Sequence, residues 1–425
     1  MHALFASIPQ AGHTAPLLPI ARELTARGHR VRWCGGRQFA DRIRSTGAEF
    51  TPMSETIDHN GRSVDEVFPE RQALRGLAKL RNDLCSVFIE PIPVQLADLR
   101  RLHAEQPADL IVNDMGFGGA LSFAALDGPP SISVGIGPMT LASPHTAPFG
   151  LGLQPGSGAV SRLRNRALQT LLDRVVLREV HDRLAEVQRS LGLPPTGGGL
   201  SGLSPHLHLH NGLAEFEHPR PDLPSQVHFV GALVDPVASK EVPSWWADVE
   251  NTDRPIVHVT QGTVADTELG DLVLPTLAAL ADLDVLVVAS VGRQTPDTVP
   301  ANARVAPFLP YDRLLPRLSV MVTNGGFGGV QQALSHGVPL VVAGTTEDKP
   351  EVAARVARAG VGVNLRTGKP KPAAIRAAVQ RLLDTSEIRS NARRMAKLFR
   401  AQDAARNSAD LIERFHVESG MQHSR

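Results

Sequence analysis

Apolar residues along this chain come in short blocks separated by amphipathic stretches, and the whole alternation runs twice. The first block, His2–Ile8, gives way to a polar loop, Pro9–Ala15, and then to Leu17, Ile20, Ala21 and Leu24 at helical spacing. Pro16 suits a first helical turn, and Gly28 ends that helix before a second apolar block, Val31–Cys34. A helix with Phe39 and Ile43 inward, Gly47 and the strand Glu49–Met53 continue the pattern. It resumes at Asp109–Asn113, a helix through Leu121 and Phe123, and the strand Ser131–Val134. The stretch Gly150–Gly158 reads as a loop, and a long helical pattern runs from about Val160 to Gly192. Strand–helix–strand repetition of this kind predicts a parallel, doubly wound sheet.

The Pro-rich segment Val230–Pro255, which contains Trp245-Trp246, interrupts the alternation and predicts a linker. Ile256–Gln261 then opens a second round. It continues through a helix near Leu272–Leu283, Val285–Ser290, Val320–Thr323, a helix after Gly329, Val338–Ala343, a helix after Pro350, and Val361–Leu365. The expected organisation is a first Rossmann-like domain over residues 1–230, a linker over 231–254 and a second Rossmann-like domain over 255–425, its last helix packing back on the first. Two such α/β sheets face each other across a cleft at the C-terminal edges of their strands, where ligands of this architecture bind.

Length agrees with two domains, since 425 residues exceed what one core comfortably holds. With 44 basic and 43 acidic side chains the net charge is +1, so the overall balance offers nothing to attract nucleic acid or an anionic membrane. Cys34 and Cys85 are too few for a framework of bridges or a CxxC metal site, and Cys34, ending an apolar run, is expected to be a buried thiol. No apolar stretch approaches the roughly 20 residues a membrane helix needs. No charged leader precedes the first apolar block, so a cytoplasmic protein without membrane insertion is expected.

Candidate chemistry gathers at strand ends. In Gln10-Ala11-Gly12-His13-Thr14-Ala15-Pro16 a histidine stands at the cleft edge where a helix begins. Free imidazole titrates near pH 6.5, which suits a general base, and the helix N-terminus favours its neutral form. Asp114, closing the strand Asp109–Asn113, reaches the same edge and can fix the tautomer of His13. Read alone, the two are equally a loop histidine and a helix cap. Thr323-Asn324-Gly325-Gly326-Phe327-Gly328-Gly329-Val330 carries a strand into a helix through glycines, whose amides approach a diphosphate closely. It lacks the Gly-Lys-Ser/Thr of a Walker loop and is not GxGxxG after a first strand. A tight helix–sheet turn is its plainer reading. Gly262-Thr263 after the second domain's first strand and Asp348-Lys349 after a later one are polar clusters at the same edge. His206, His208 and His210 share one strand face about 6.5 Å apart, but with no Cys or carboxylate beside them a polar face is expected rather than a metal site.

Taken in order, these motifs resemble the nucleotide-sugar glycosyltransferases of the GT-B fold, of the bacterial macrolide-glycosyltransferase type related to plant natural-product glucosyltransferases. Gly12-His13 with Pro16, Arg27-Gly28-His29-Arg30-Val31, Phe229-Val230-Gly231, Phe308-Leu309-Pro310-Tyr311, the glycine loop and Asp348-Lys349 carry the likeness over nearly the whole chain. The resemblance implies an inverting transfer from a UDP- or dTDP-sugar to a hydroxyl of a small, largely apolar acceptor. It assigns His13 as base, Asp114 as its partner, Phe308 and Leu309 to the nucleotide base, and Asn324 with the amides of Gly325, Gly326, Gly328, Gly329 and Val330 to the phosphates. Gln332 is assigned to the ribose, and Asp348 and Lys349 to the sugar; Gly262 and Thr263, from their place at a strand end, are expected to face the same donor pocket. It implies no catalytic metal and no resident cofactor. The chain departs from the family's usual His at 324, Ser or Thr at 329, Glu at 332 and Gln at 349, which loosens the expectation on donor identity. A non-catalytic relative that activates a partner enzyme, or a sugar-nucleotide epimerase on the same fold, are the rival readings.

Overall fold

The computed structural model describes residues 1–195, 201–235, 242–262, 269–292, 294 and 296–423. Seven parallel strands form the first sheet: β1 (His2–Ala6), β2 (Arg30–Gly35), β3 (Glu49–Pro52), β4 (Leu110–Asp114), β5 (Ser131–Gly135), β6 (Leu207–Asn211) and β7 (Val227–Gly231), in the order β3-β2-β1-β4-β5-β6-β7. Six more form the second: β8 (Ile256–Thr260), β9 (Leu286–Ser290), β10 (Ala303–Ala306), β11 (Val320–Thr323), β12 (Leu340–Val342) and β13 (Gly362–Asn364), in the order β10-β9-β8-β11-β12-β13. Both sheets reverse direction beside their first strand, so each has a crevice there, between β1 and β4 and between β8 and β11.

Helices cover both faces of each sheet, which is why the central strands read as near-continuous apolar runs. On the first sheet, Phe5, Trp33, Val112 and Val134 pack under the helix Leu17–Ala26, while Leu4, Ala6 and Ile111 pack under Ile92–Glu105 and Gly118–Leu126. The second sheet is sandwiched the same way, with Val257 and Val287 on one side and Met321, Leu340 and Val342 on the other. The last helix, Ala404–His423, returns to the first domain. Ala409 and Ile412 enter its core, Arg27 donates to Asp410 (2.6 Å) and Glu413 (2.7 Å), and Asn407 Nδ2 donates to Val230 O (3.2 Å).

Several elements differ from the pattern read along the chain. The helix of the first crossover starts early, as a turn Ala11–Thr14, and is broken before Leu17 because Pro16 has no N–H to donate. The stretch from Val160 to Gly192 is two helices, Gly158–Leu171 and Arg178–Ser190, joined by a wider-wound turn, Leu172–Val176. A further helical run, Gly76–Glu105 with wide turns at Leu84–Ile89, fills the interval between β3 and β4. Within the Pro-rich segment, Trp246–Glu250 is helical, and Trp246 and Val249 are buried with Ile256, Leu286 and Leu309 of the second domain.

Candidate active site

At the first crevice, His13 sits in the turn after β1 and Asp114 is the last residue of β4. Register pairs Ala6 with Asn113, so the two loops leave neighbouring strands at the same level. His13 Nδ1 lies 2.7 Å from Asp114 Oδ1, and the carboxylate is wholly buried. Asp114 accepts two further donors, since Oδ2 accepts Ile8 N–H (2.8 Å) and Oδ1 also accepts Gly116 N–H (2.8 Å). With both of its oxygens accepting backbone N–H groups, Asp114 faces the ring as an acceptor, so Nδ1 is the nitrogen that donates and Nε2 keeps its lone pair. That is the tautomer a base needs. Phe88 packs against the imidazole, its ring centre 5.9 Å away, and Gly116 allows the approach, because a Cβ there would stand 3.0 Å from His13 Cε1.

The second crevice gathers the glycine loop. Asn324 follows β11, its Nδ2 donating to Gln261 O after β8 and its Oδ1 accepting Gly326 N–H (3.3 Å). Gly325 has φ +91°, where a side chain is strained, and a Cβ there would also meet Val342 Cγ1 at 2.8 Å. The helix Phe327–Ser335 starts at Gly326 with no side chain capping it, so its first amides are left for a ligand. Around Gly328 an added Cβ would find open space, and at Gly329 only Met321 Cε at 3.9 Å. The hydroxyl missing at 329 therefore leaves room rather than a filled contact. Val330 is buried beneath, and Gln332, half-buried, stands one turn after Gly328 on the same side.

Gly262 (φ +78°) faces Asn324, with its Cβ position 3.5 Å from the amide. Thr263 lies outside the described residues. Gln261 turns away from the crevice, its Oε1 capping the helix Val273–Leu280 through Leu272 N–H (3.2 Å) and Val273 N–H (3.0 Å). Leu309 is buried, whereas the Phe308 ring is 67 % exposed. The turn carrying both is tied down by Tyr311, whose O–H donates to His258 Nε2 (2.9 Å) while His258 Nδ1–H donates to Val288 O (2.8 Å). Burial lowers His258 to about 4 and raises Tyr311 to about 12, so both stay neutral.

Asp348 begins the helix Lys349–Arg358 and faces the first domain, since a Cβ on Gly137 after β5 would stand 3.5 Å from its Oδ2. Burial pushes its carboxyl up to about 6, against the pull of Lys349 and with a push from Glu347. The cation of Lys349 is met locally by Glu347, which occupies the left-handed region at φ +56°. His206, just before β6, and His208 and His210 within it go to separate partners. His206 packs on Phe415 of the last helix, His208 Nδ1 accepts the Ser133 hydroxyl proton (2.8 Å), and His210 packs on Phe229 and approaches Glu217. Burial, then the neighbouring His210, lowers His208 to about 3. Among the described residues no group of three or more His, Cys, Asp and Glu could hold a metal ion.

A third feature had no signal in sequence spacing. Glu217, just beyond β6, is buried and accepts Arg355 Nε–H (2.9 Å), Arg220 Nη1–H (3.1 Å), Met139 N–H (3.0 Å) and His218 N–H (2.8 Å). Arg355 also donates to Glu351 Oε2 (2.9 Å), and Glu351 Oε1 accepts Gly150 N–H (3.0 Å) and Gly152 N–H (2.8 Å). The loop of the first domain around Gly150 is thus fastened to the helix that Asp348 begins.

Compared with known proteins, the chain matches over nearly its full length. It is 42% identical over 415 residues to 4'-demethylrebeccamycin synthase of Lentzea aerocolonigenes, covering 96% of this chain and 98% of that one. The chain belongs to the natural-product glycosyltransferases of the GT-B fold. Residues 274–413 match the erythromycin biosynthesis protein CIII-like C-terminal domain. UDP-glycosyltransferase 2 of Phaeomoniella chlamydospora is 32% identical over 434 residues, covering 97% of this chain and 95% of its own. Among solved structures, the calicheamicin glycosyltransferase superposes with a TM-score of 0.76 at 23% identity, covering 97% of this chain and 98% of that one. A glycosyltransferase solved with dTDP superposes with a TM-score of 0.69 at 21% identity, covering 98% and 100%. The glycosyltransferase therefore carries two crevices of the expected fold, one with a histidine–carboxylate pair and one with a glycine loop opening a helix.

Proposed function

We propose that this glycosyltransferase moves a hexose or deoxyhexose from a UDP- or dTDP-sugar to a hydroxyl of a small, largely apolar natural product, inverting the anomeric centre. The observation that carries the chemistry is the pairing of His13 Nδ1 with the buried Asp114, which leaves Nε2 as the free nitrogen. In this reading Nε2 takes the acceptor's hydroxyl proton, the oxygen bonds to the anomeric carbon, and the carbon–phosphate oxygen bond breaks with its electron pair on the departing nucleoside diphosphate. Asp114 stabilises the imidazolium formed. The first amides of Phe327–Ser335 meet the charge that develops on the diphosphate, a role that needs no resident cofactor. The rebeccamycin-synthase relative and the dTDP-bound neighbour support the donor and acceptor classes. The setting is the cytoplasm, and no described helix is long and apolar enough to cross a membrane.

Product analysis tests the reaction. Incubation with UDP- or dTDP-α-hexoses and an aromatic acceptor is expected to yield the β-glycoside by NMR. An α-glycoside, or epimerised donor without product, would contradict it.

Two expectations concern the donor. Phe308 is read as the stacking platform for the nucleotide base. Phe308→Ala should cost about 1–3 kcal/mol of donor binding, seen as a rise in donor KM of about 5- to 160-fold at near-constant kcat. Asp348 accepts sugar hydroxyls only as a carboxylate, and its group titrates at about 6. Donor kcat/KM should therefore fall as pH drops through about 6, and Asp348→Asn should lower it at neutral pH while flattening that acid limb. An unchanged acid limb in the variant would remove Asp348 from the sugar site.

A further inference from the structure

Of the eight large apolar side chains that lie exposed in the first domain, among the described residues, six fall in two segments of its helical cap, and Leu151 and Leu153 lie in the loop before the second of these. Val160 (83 % exposed), Leu163 (69 %), Leu171 and Val175 recur at helical spacing along Gly158–Leu171 and the wide turn Leu172–Val176. That puts them on one outward stripe, opposite the buried Asn165, whose Nδ2 holds the helix down through Pro144 O (3.0 Å). Leu77 and Leu80 lie exposed on the neighbouring helix Gly76–Asp83, and Arg81 donates to Val175 O (3.2 Å) and Val176 O (2.6 Å), which sets the two side by side.

The stripe is bordered mostly by positive charge, with the exposed Glu179 paired to Arg81 at its end. Between residues 158 and 176 stand Arg162, Arg164, Arg166 and Arg174 against a single acid, Asp173, and Arg75 and Lys79 flank Leu77 and Leu80. Arg164 donates only to Asn165 Oδ1 (2.9 and 3.2 Å), and none of these four arginines pairs with a carboxylate among the described residues. The whole-chain charge of +1 conceals this local excess.

We propose that this face rests on an anionic lipid surface, its leucines and valines in the headgroup boundary and Arg164 and Arg174 on lipid phosphates, attaching the enzyme peripherally without a membrane span. An amphipathic helix with unpaired arginines beside exposed aliphatic residues has the chemistry of an interfacial helix. A second copy fits poorly, because a two-fold contact through the stripe sets each arginine near its counterpart without an acid to separate them. The placement also suits an apolar acceptor. The run that exposes Leu77 and Leu80 continues to Phe88, which packs on His13, so acceptor dissolved in the bilayer has a path of roughly 12 Å along one helix to the base.

The test is flotation of the full-length protein with vesicles of phosphatidylcholine alone and of equimolar phosphatidylcholine and phosphatidylglycerol, independent of sugar transfer. Co-flotation is expected with the anionic vesicles only, weakening as salt is raised. Leu163→Asp/Val175→Asp should lower the partition coefficient at least about tenfold, and Arg164→Gln/Arg174→Gln, which leaves the apolar stripe intact, by about fivefold per arginine. Both variants should keep the wild-type melting midpoint. Absence of wild-type flotation at low salt, equal flotation of either folded variant, or a wild-type dimer by light scattering that the aspartate variant dissolves would each overturn the proposal.

Discussion

Replacing His13 with alanine is expected to lower kcat by about 10²–10⁴ while nucleoside diphosphate affinity stays within about twofold. The split follows from where the residue sits. His13 belongs to the crevice of the first sheet, and the glycine loop that serves the donor belongs to the second. Asp114→Asn should approach the same loss by a different route. An amide there presents N–H to Nδ1, forces the ring's proton onto Nε2 and removes the lone pair the reaction uses. Because Gly116 N–H shares Oδ1 with Nδ1, it also loses its acceptor, so a lower melting midpoint should accompany the lost rate. Steady-state kinetics with calorimetric donor binding separates these effects. Transfer by His13→Ala within about tenfold of wild type would remove the residue from the role of base.

The second large effect is expected at Arg355, a wholly buried cation shared between Glu217 and Glu351. Removing one member of a buried charge network leaves its partners uncompensated, at a cost of about 3–5 kcal/mol. Arg355→Met should lower the melting midpoint by about 6–20 °C. Glu217→Gln placed on the Arg355→Met background should recover part of the loss, because it removes the stranded charge. Burial alone would raise Glu217, but His210 and Arg355 hold its carboxyl well below the ordinary range. Its contribution is thus fully present above the unfolded carboxylate range and is lost only as pH falls through the lower folded value. Acid down to the normal carboxylate range should leave this junction intact. Because Glu351 also fixes the amides of Gly150 and Gly152, Arg355→Met should speed their hydrogen exchange more than that of β1. A loss of less than about 1 kcal/mol, with those amides still protected, would contradict the account.

The alternation of apolar blocks made the two doubly wound sheets legible, because buried parallel strands advertise themselves as continuous runs such as Leu110–Asp114 and Ile256–Thr260. Strands with weaker patterns were hidden. β10, Ala-Arg-Val-Ala, is a short edge strand carrying an arginine, and β7 mixes His228 and Phe229 before ending in glycine. The helical run from Gly76 was hidden by Pro91 and Pro93 and by its wide turns, which shift the apolar residues off the 3.6 period. His13, Asp114, Asn324 and Asp348 stood out because each closes or follows a strand. The Glu217–Arg355–Glu351 junction did not, since Glu351 and Arg355 read as an ordinary i,i+4 pair of one helix and only the meeting of two domains brings Glu217 to them. The basic apolar stripe was invisible for another reason. Net charge sums over the whole surface, whereas docking depends on which side chains share a face.

The claim on which everything else rests is that a nucleoside-diphosphate sugar is the donor, and thermal unfolding with UDP, dTDP, GDP, ADP and NAD tests it most directly. Ligand at about 100 times its dissociation constant adds roughly 2.7 kcal/mol, enough to move the midpoint by several degrees. A rise with UDP or dTDP and not with NAD is the predicted result and also selects the donor series. No rise with either nucleotide, or a rise with NAD, would contradict it.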